Sequence, residues 1–454
     1  MKKILFGIGG LFLLLMSAIS IGAASSLSDP VDADAEKFFF KDQVVIPDDE
    51  NAYFAFLGLF APEEVKDIHA YGLKQWNDYA RKLESADEHD EKYSDYPMAE
   101  FTIMTTVDDG LAIGQLEVDY YSCIEKGEMD CIDSKAINKF LEQNKLILSR
   151  LDQLYRFKKF QQVFMGQRTQ EIITIAKLQS IQSLKLMSQG DLEEAFQLLF
   201  KNLYFYQDML ANGMGMVNLA ILKVVRGIYW RRMAFLVRDY PEFAITKYSE
   251  LRKLFGSGLS VPYAEIAKHE FYFMNKAVCN NKQRIARPDV NCLGNIKKTF
   301  AKPNMILSEF FNASQELIKL STVHPAQVER ESKRLYSKYA ANSEANNKGK
   351  AVDEIMFRRV FDPYSMLRFG GLIYNVKLGA ARGASLLAYL ELYKNQVKPE
   401  EVNGFIKNNP EKFYDPLSRK QFVYDEKEGL LMMHEDGFSA ESIDARIPNA
   451  LKYR

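Results

Sequence analysis

Apolar residues recur at the spacing of an α-helix along most of this chain. One helix is predicted from the residues Ile137, Leu141, Leu146, Leu148 and Leu151, which lie near a 3.6-residue period. The same period predicts three further helices, over 168–188, 192–211 and 214–238. More helices are predicted from Asp239 and Pro241 onward, over 260–279, from Pro303 to about Thr322, and from Asp362-Pro363 to Lys394.

Short turn signals separate these segments. Gly190-Asp191 is one of them, because glycine ends a helix and aspartate caps the next one. Helices joined by short turns form helical hairpins. We therefore expect a mostly α fold, either an α-solenoid-like array or a large helical bundle. In the last long helix, Gly379-x3-Gly383 predicts that a neighbouring helix approaches closely.

β-structure is predicted only in short pieces. Residues 100–107 are rich in β-branched residues and indicate a strand, and 421–424 with 430–433 indicate a C-terminal β-hairpin. The chain is predicted to have five parts. Residues 1–24 form a signal peptide or single membrane anchor, and 25–110 form an acidic tether and an N-terminal helical segment, with a helix from Pro62 to about Glu84. Residues 111–338 form a helical-hairpin core with two disulfide loops, 339–351 a flexible loop, and 352–454 a long helix, a β-hairpin and a tail. Within the second part, 25–49 are expected to be extended.

The first 24 residues indicate export. Lys2 and Lys3 precede an uncharged, mostly apolar run from Ile4 to Ala24, and acidic residues follow from Asp29 onward. This charge order sends the following chain across a membrane. The small residues before Ser25 suit a signal peptidase, yet the run of about 20 residues is also long enough to span a bilayer. A cleaved signal peptide and a retained inner-membrane anchor (residues 4–24) both stay open, and either one places the remaining chain in the periplasm.

The four cysteines form two local pairs, Cys123 with Cys131 and Cys279 with Cys292. The residues between the partners are polar and typical of loops. In an exported protein, an even number of cysteines with local partners indicates disulfides. Zinc sites usually have two to four residues between cysteines and nearby histidines, which neither pair offers. We therefore expect two structural disulfides and no metal site.

Charge and composition exclude two classes of protein. Lys and Arg number 59 against 60 Asp and Glu, and this balance argues against a nucleic-acid binder, which would carry a basic excess. Hydrophobic residues make up 47% of the chain and charged residues 26%, which excludes wholesale disorder.

Several short motifs occur in one order along the chain. They are the Asn51-Ala52-Tyr53 start, the Cys123/Cys131 loop, the Leu146-to-Tyr155 helix, the Gly190-Asp191 turn, the apolar helix with Lys223, Lys302-Pro303-Asn304 and the Asp362-Pro363 helix. This order resembles an uncharacterised family of envelope proteins from Gram-negative bacteria over most of 50–435. The resemblance implies export and helices, and no activity. The 339–351 segment and the tail after Glu435 depart from the family pattern.

A second, local similarity covers residues 380–433. A helix ends in Leu390-Glu391-Leu392-Tyr393, and a proline-started helix, Asp415-Pro416-Leu417-Ser418 and a hairpin follow. This order is similar to the C-terminal end of pseudopilin-type domains. The N-terminal pilin helix of those domains has no counterpart here, so the likeness is one of supersecondary structure.

No catalytic signature is found in the sequence. The chain has no H-E-x-x-H pair among its histidines, no G-x-S-x-G elbow and no Walker A loop. Gly213-Met214-Gly215 lacks the third glycine and the preceding strand of a dinucleotide-binding loop. We therefore expect no cofactor.

One polar cluster is a candidate site. The polar residues of the 214–238 helix do not share one face, so we expect at least one cation, Lys223 or Arg226, to point into packed surface. Glu270 is flanked by apolar residues in the 260–279 helix, and a buried carboxylate needs a cationic partner or becomes protonated. We expect Glu270 to be buried and paired with Lys223 or Arg226. The pair is either structural or part of a site for an anionic ligand or a catalytic acid. His269 is expected at the rim or surface.

Residues Tyr155–Arg168 interleave aromatic and basic side chains. This pattern fits an interface with anionic lipid headgroups. It also fits an ordinary helix end whose Phe residues pack inside and whose Lys residues are solvated, and this second interpretation is favoured.

Two function classes follow. The first is a non-enzymatic interaction or scaffold protein of the cell envelope, with another envelope protein as its partner, because helical-hairpin arrays present broad concave surfaces. The second is an enzyme or small-ligand carrier with a polar site at Glu270, Lys223 and Arg226 in a helical cavity.

The cysteine spacing gives a direct prediction. Peptide mapping of exported protein under non-reducing conditions should show Cys123 joined to Cys131 and Cys279 joined to Cys292, because both pairs lie in short polar segments behind an export signal. Protein retained in the reducing cytoplasm is the control and should carry free thiols. Four free thiols in periplasmic material would contradict the pairing.

Overall fold

The computed structural model describes residues 32–41, 46–85, 134–161, 169–211, 216–255, 263–278, 303–345, 367, 370–416, 419–427, 429–432 and 450–452. The predicted export segment 1–24, the predicted strand 100–107 and all four cysteines lie outside these residues. None of the described helices is long and apolar enough to cross a membrane.

The described part of the chain is mostly α-helical, as predicted. Its first helices are α1 (Ala33–Glu36), α2 (Ala52–Gly58), α3 (Ile68–Ser85), α4 (Ser134–Gln143), α5 (Lys145–Leu154), α6 (Thr169–Gln189), α7 (Leu192–Ala211) and α8 (Met216–Asp239). The later helices are α9 (Pro241–Thr246), α10 (Tyr248–Phe255), α11 (Tyr263–Val278), α12 (Pro303–Thr322), α13 (Pro325–Ala345), α14 (Gly370–Lys394) and α15 (Val402–Asn408).

Short strands follow the last helix. Strand β1 (Tyr414–Asp415) pairs antiparallel with β2 (Lys420–Gln421). Strands β3 (Val423–Asp425), β4 (Leu430–Met432) and β5 (Ala450–Lys452) form an antiparallel sheet in the order β3-β4-β5. The predicted hairpin is therefore confirmed as β3 and β4. Strand β5 comes from the C-terminal tail, for which no strand was predicted.

Helices α8 and α14 lie at the centre of the array. Each is apolar on most of its circumference, and a helix of this kind is stable only when neighbours cover all its sides. Helix α8 contacts α6, α7, α9, α11 and α14, while α14 also contacts α10, α12, α13 and the C-terminal strands. The α8 residues Val225, Ile228 and Leu236 are fully buried.

Gly190 ends α6, as predicted. Gly190 has a φ of +83°, which glycine adopts without strain. Its N–H donates to the Met187 carbonyl (3.1 Å), and the Asp191 N–H donates to the Leu186 carbonyl (2.9 Å). These two bonds satisfy the last carbonyls of α6 and define a Schellman motif.

The two glycines of α14 allow the close approach that their spacing predicts. A Cβ at Gly383 would lie 2.7 Å from Cδ1 of Phe255, a residue of α10. A Cβ at Gly379 would lie 3.1 Å from Nη1 of Arg226 on α8. Position 383 therefore needs glycine. At position 379, glycine leaves room for the Arg226 guanidinium.

Two predicted helices are each divided in the structure. The helix predicted over 137–151 breaks at Asn144, whose backbone has φ −108° and ψ 12° and whose side chain donates to the Phe140 carbonyl (3.0 Å). An Asn side chain that bonds to the backbone competes with the helix. The helix predicted from Pro241 breaks at Lys247, with φ −102° and ψ 13°. Both breaks let consecutive short helices turn their apolar faces to one core.

Two helix boundaries were also predicted incorrectly. The helix predicted from Pro62 begins at Ile68, because the preceding residues form turns instead. Helix α13 extends to Ala345, so residues 339–345 of the predicted flexible loop are helical. Residues 346–351 lie outside the described part.

Residues 32–41 do not form the extended tether that their acidic composition predicts. They form α1 and a π-helical turn at Lys37–Lys41. Phe39 is fully buried and stacks on Phe271 of α11, with ring centres 4.0 Å apart. Phe38 meets Phe311 of α12 edge to face at 5.5 Å. The aromatic residues anchor this segment because they bury far more apolar surface than an acidic tether could.

Arg150 of α5 binds the segment that connects α2 to α3. Its guanidinium is buried and donates through Nη1 to the carbonyls of Leu59 (3.1 Å) and Ala61. Nη2 donates to the carbonyls of Pro62 and Val65. One side chain thus satisfies four carbonyls in the connection between α2 and α3.

Replacing Arg150 should therefore destabilise the fold strongly. In Arg150→Met the four carbonyls lose their donor, and we expect a loss of about 3 kcal/mol in the free energy of unfolding. Urea unfolding followed by circular dichroism measures this loss. Arg156→Met, an exposed position just after the same helix, is the matched control and should stay within about 0.5 kcal/mol of the wild type. Equal midpoints for the two variants would contradict the role of Arg150.

Candidate functional site

The predicted polar cluster is only partly assembled as expected. Lys223 and Arg226 lie on α8 and Glu270 lies on α11, and these two helices contact each other. Glu270 is partly exposed and Lys223 is exposed, so the expectation that Glu270 is buried is wrong. A Glu side chain is long enough to keep its carboxylate hydrated at the edge of an apolar face. The pairing of Glu270 with either cation stays a prediction.

His269 is buried, contrary to the expectation that it lies at a rim or surface. Burial lowers the pKa of its imidazole to about 4. The neighbouring Lys268 is also buried, pairs with Glu265 (2.9 Å) and lies 5.2 Å from the ring centre of Phe38. Residues 32–41 pack on α11 and bury part of its surface. The sequence of α11 alone does not indicate this extra burial.

Arg226 lies near a second arginine, Arg382. Burial and the nearby charge of Arg382 on α14 lower the pKa of Arg226 to about 10. The guanidinium carbon of Arg382 lies 5.6 Å from the centre of the Trp230 ring. Sequence reasoning missed Arg382, although its position one turn after Gly379 was a signal.

A cleft of about 680 Å³ lies where α5 and the segment after it meet α6 and α7. Aromatic side chains supply much of its wall, namely Tyr155, Phe157, Phe200, Tyr204 and Phe205. Three glutamine side chains, Gln179, Gln182 and Gln197, also line it. The sequence analysis did not identify this cleft, because its residues come from segments far apart in the chain.

A buried chain of hydrogen bonds runs behind two of the residues that line the cleft, Tyr155 and Gln179, and we call it the floor of the cleft. The Tyr155 hydroxyl donates to Oδ1 of Asn202 and accepts from Nε2 of Gln179 (2.7 Å). Oε1 of Gln179 in turn accepts from the Tyr229 hydroxyl (2.6 Å). Tyr206 stacks on Tyr229 with ring centres 5.6 Å apart. The floor therefore joins α5, α6, α7 and α8.

The three tyrosines of the floor, Tyr155, Tyr206 and Tyr229, do not titrate near neutral pH. Burial raises the pKa of Tyr155 and Tyr229 well above the ordinary value for tyrosine, and burial also raises the pKa of Tyr206. The hydroxyl groups thus stay protonated. A hydrogen-bonded network of this kind holds its side chains in fixed positions.

A row of aromatic rings follows α7 along one side of the cleft. Phe196, Phe200 and Tyr204 are four residues apart and stack successively, with ring centres 5.7 and 6.2 Å apart. Lys247 lies over Phe196 at 5.7 Å, and Lys253 lies over Tyr204 at 5.8 Å. Tyr204 is 43% exposed, so the row ends at the surface of the described part of the protein.

The segment after α5 forms an ordinary helix end, as favoured from the sequence. Phe160 is buried, Phe157 stacks on His69 at 4.5 Å, and Lys158 and Lys159 are exposed. This holds for residues 155–161, since 162–168 lie outside the described part.

The groups that line the cleft are of several chemical kinds. Among the described residues, no group of three or more His, Cys, Asp or Glu could hold a metal ion. The cleft offers amide groups that donate and accept, flat aromatic faces, and charges of both signs, including the Lys201–Asp152 pair at 2.6 Å.

The burial of His269 predicts a pH dependence of stability. The unfolded chain binds this proton near pH 6.5, whereas the folded chain binds it near pH 4. The unfolded state therefore holds more protons between these values, and stability is lost as the pH falls from about 6.5 to about 4. We expect the free energy of unfolding to fall by about 3 kcal/mol over this range through His269.

Chemical denaturation between pH 7 and pH 4.5 measures this effect. His269→Leu should have a flatter pH profile than the wild type. His324→Leu, at a partly exposed position, is the control and should keep the wild-type profile. Identical profiles for His269→Leu and the wild type would show that His269 does not cause the loss.

Comparison with known proteins gives no match for this chain. No protein-family model matches it, and neither a curated protein nor a solved structure is significantly similar to it.

Proposed function

We propose that this protein is a non-enzymatic interaction protein of the bacterial periplasm and that its cleft binds an extended segment of another envelope protein. The observation that carries this proposal is the combination of glutamine amides and aromatic faces in one cleft on a rigid floor. The apolar run behind Lys2 and Lys3 supports a periplasmic location.

The glutamines match the chemistry of a peptide backbone. Each carboxamide has a donor and an acceptor, as each peptide group has. Gln182 on α6 and Gln197 on α7 line the cleft from neighbouring helices, and neither is buried. Their amides can pair with the N–H and C=O groups of an extended segment whatever its side chains are.

The aromatic side chains supply the apolar part of the contact. Phe200 and Tyr204 present stacked rings in the cleft, and Tyr155, which meets Phe205 edge to face at 5.2 Å, also lines it. Aromatic rings bury a large area and lose little conformational entropy on binding. Because the hydrogen-bond chain already fixes Tyr155, binding does not have to order it, and such preorganisation favours affinity.

The charges around the cleft favour a protein partner over a polyanion. Lys158 and Lys201 lie among its residues together with Asp152 and Glu194. Charges of both signs repel a uniformly charged ligand at some positions and complement a mixed sequence. This arrangement agrees with the near-neutral net charge of the whole chain.

Photocrosslinking in intact cells tests the proposal. A photoreactive phenylalanine analogue replaces Tyr204, which is 43% exposed in the cleft, or Tyr414, which is 45% exposed on β1 and serves as the matched control. We expect a discrete crosslinked product from position 204 and none from position 414. Mass spectrometry of that product should map the crosslinks to one extended segment of a single envelope protein.

A synthetic peptide of the mapped segment then tests binding directly. It should bind the purified protein, and Phe200→Ala should weaken this binding by about tenfold or more, because truncating a central aromatic anchor removes a large share of the binding energy. The same products from both positions would contradict the proposal, as would a peptide that binds the Phe200→Ala variant equally well. A crosslink to a small molecule would favour the carrier alternative.

A further inference from the structure

The cleft runs along helix α7. The residues of this helix that both line the cleft and are exposed are three or four positions apart, namely Glu194, Gln197, Lys201 and Tyr204. Residues at this spacing share one face of a helix. Glu194 and Tyr204 are ten residues apart, and a helix rises about 1.5 Å per residue, so the two ends of this face are about 15 Å apart.

The two ends of this face carry opposite charges. At the first end, Glu194 lies in the first turn of α7. At the second end, Nζ of Lys253 on α10 lies 5.8 Å from the centre of the Tyr204 ring. The cleft therefore has an acidic end at Glu194 and a basic end at Tyr204.

Lys158 adds to the basic end. It lines the cleft three residues after Tyr155. The ring of Tyr155 meets Phe205 edge to face at 5.2 Å, and Phe205 is the neighbour of Tyr204 in the chain. The segment after α5 thus lies toward the end of the cleft that Tyr204 and Lys253 already make basic.

The charges at the two ends are available to a partner. In the part of the chain that the structure describes, Glu194, Lys158 and Lys253 form no ion pair. The middle of the cleft is different, because Lys201 pairs there with Asp152 of α5 at 2.6 Å and the two charges neutralise each other. The charge that a ligand meets therefore changes sign from one end of the cleft to the other.

We propose that the cleft selects a protein segment with a lysine or arginine at one position and an aspartate or glutamate about five residues away, and that it binds this segment in one direction. The basic residue pairs with Glu194, and the acidic residue lies near Lys158 and Lys253. An extended chain advances about 3.3 Å per residue, so about five residues cover the distance between the two ends. This inference rests on the proposed function, since it requires an extended segment in the cleft.

The charged ends determine direction more than affinity. Exposed ion pairs contribute little binding energy, whereas like charges that face each other disfavour a wrong partner or a reversed one. A segment bound in the reverse direction would place its acidic residue at Glu194 and its basic residue at Lys158 and Lys253. The aromatic rings and amides between the ends would supply most of the affinity in either direction.

Selection of random ten-residue peptides displayed on phage tests the charge order. Peptides are selected on the purified protein, and those that also bind the Phe200→Ala variant are removed, so that the remaining peptides depend on the cleft. We expect these peptides to share one basic and one acidic residue about five positions apart, in the same order along the peptide.

A charge reversal at one end sharpens the test. Selection on Glu194→Lys should replace the shared basic residue by an acidic one and leave the other acidic residue unchanged. Glu242→Lys is the matched control, because Glu242 is an exposed glutamate in the first turn of α9 that does not line the cleft. Both variants place a lysine in the first turn of a helix, so they should lose similar stability, and Glu242→Lys should select the same peptides as the wild type.

The affinity of one selected peptide measures the contribution of the acidic end. In fluorescence polarisation at low salt, changing its basic residue to glutamine should weaken binding to the wild type about threefold, the size of an exposed ion pair. Changing the same residue to glutamate should make the peptide bind Glu194→Lys more tightly than the wild type.

The outcomes separate this inference from the proposed function. Peptides that depend on Phe200 but share no charge order would overturn the inference and leave peptide binding in place, as would the same selection from Glu194→Lys and the wild type. If no peptide is selected that depends on Phe200, the proposed function is contradicted and the charge order with it.

Discussion

The burial of α8 is the constraint on which the rest of the structure depends. This helix is covered on nearly every side, yet it carries several cations that cannot all reach water. Each buried cation requires a specific neighbour on another helix. Arg232 is 1% exposed and donates from Nε to Oγ of Ser180 on α6 (2.6 Å). Arg226 lies against Gly379 on α14, where a Cβ would come within 3.1 Å of its Nη1. Ser180 of α6 and Gly379 of α14 therefore match the cations that α8 presents to them.

The same constraint shapes the floor of the cleft. Gln179 and Ser180 are consecutive residues of α6, and they bond to Tyr229 and Arg232 of α8. Two directional bonds between one pair of helices fix how far they can slide along each other. Gln179 also holds Tyr155, which reaches Asn202 on α7. The positions of the cleft walls therefore follow from how α6 and α8 are locked together.

Helix starts, helix ends and close-packing positions could be predicted from the sequence, because they depend on residues that are near one another in the chain. Pro303 starts its helix, Gly190 ends α6, and the α14 glycines allow close packing, because each effect depends on the residue itself. The docking of Phe39 and the burial of His269 were missed, since both depend on partners far away in the chain. For the same reason, periodicity pointed to Arg226 but not to Arg382.

Four residues of α8, Arg226, Trp230, Tyr229 and Arg232, point to two different neighbouring helices. At 100° per residue, Arg226 and Trp230 point within about 40° of each other, and so do Tyr229 and Arg232 within about 60°. The mean directions of the two pairs differ by about 110°. The first pair meets α14 and the second meets α6. One helix therefore contributes to both the floor of the cleft and the contact with Gly379 and Arg382 of α14. Because Tyr229 and Trp230 are adjacent, a rotation or shift of α8 that tightens one contact has to change the other.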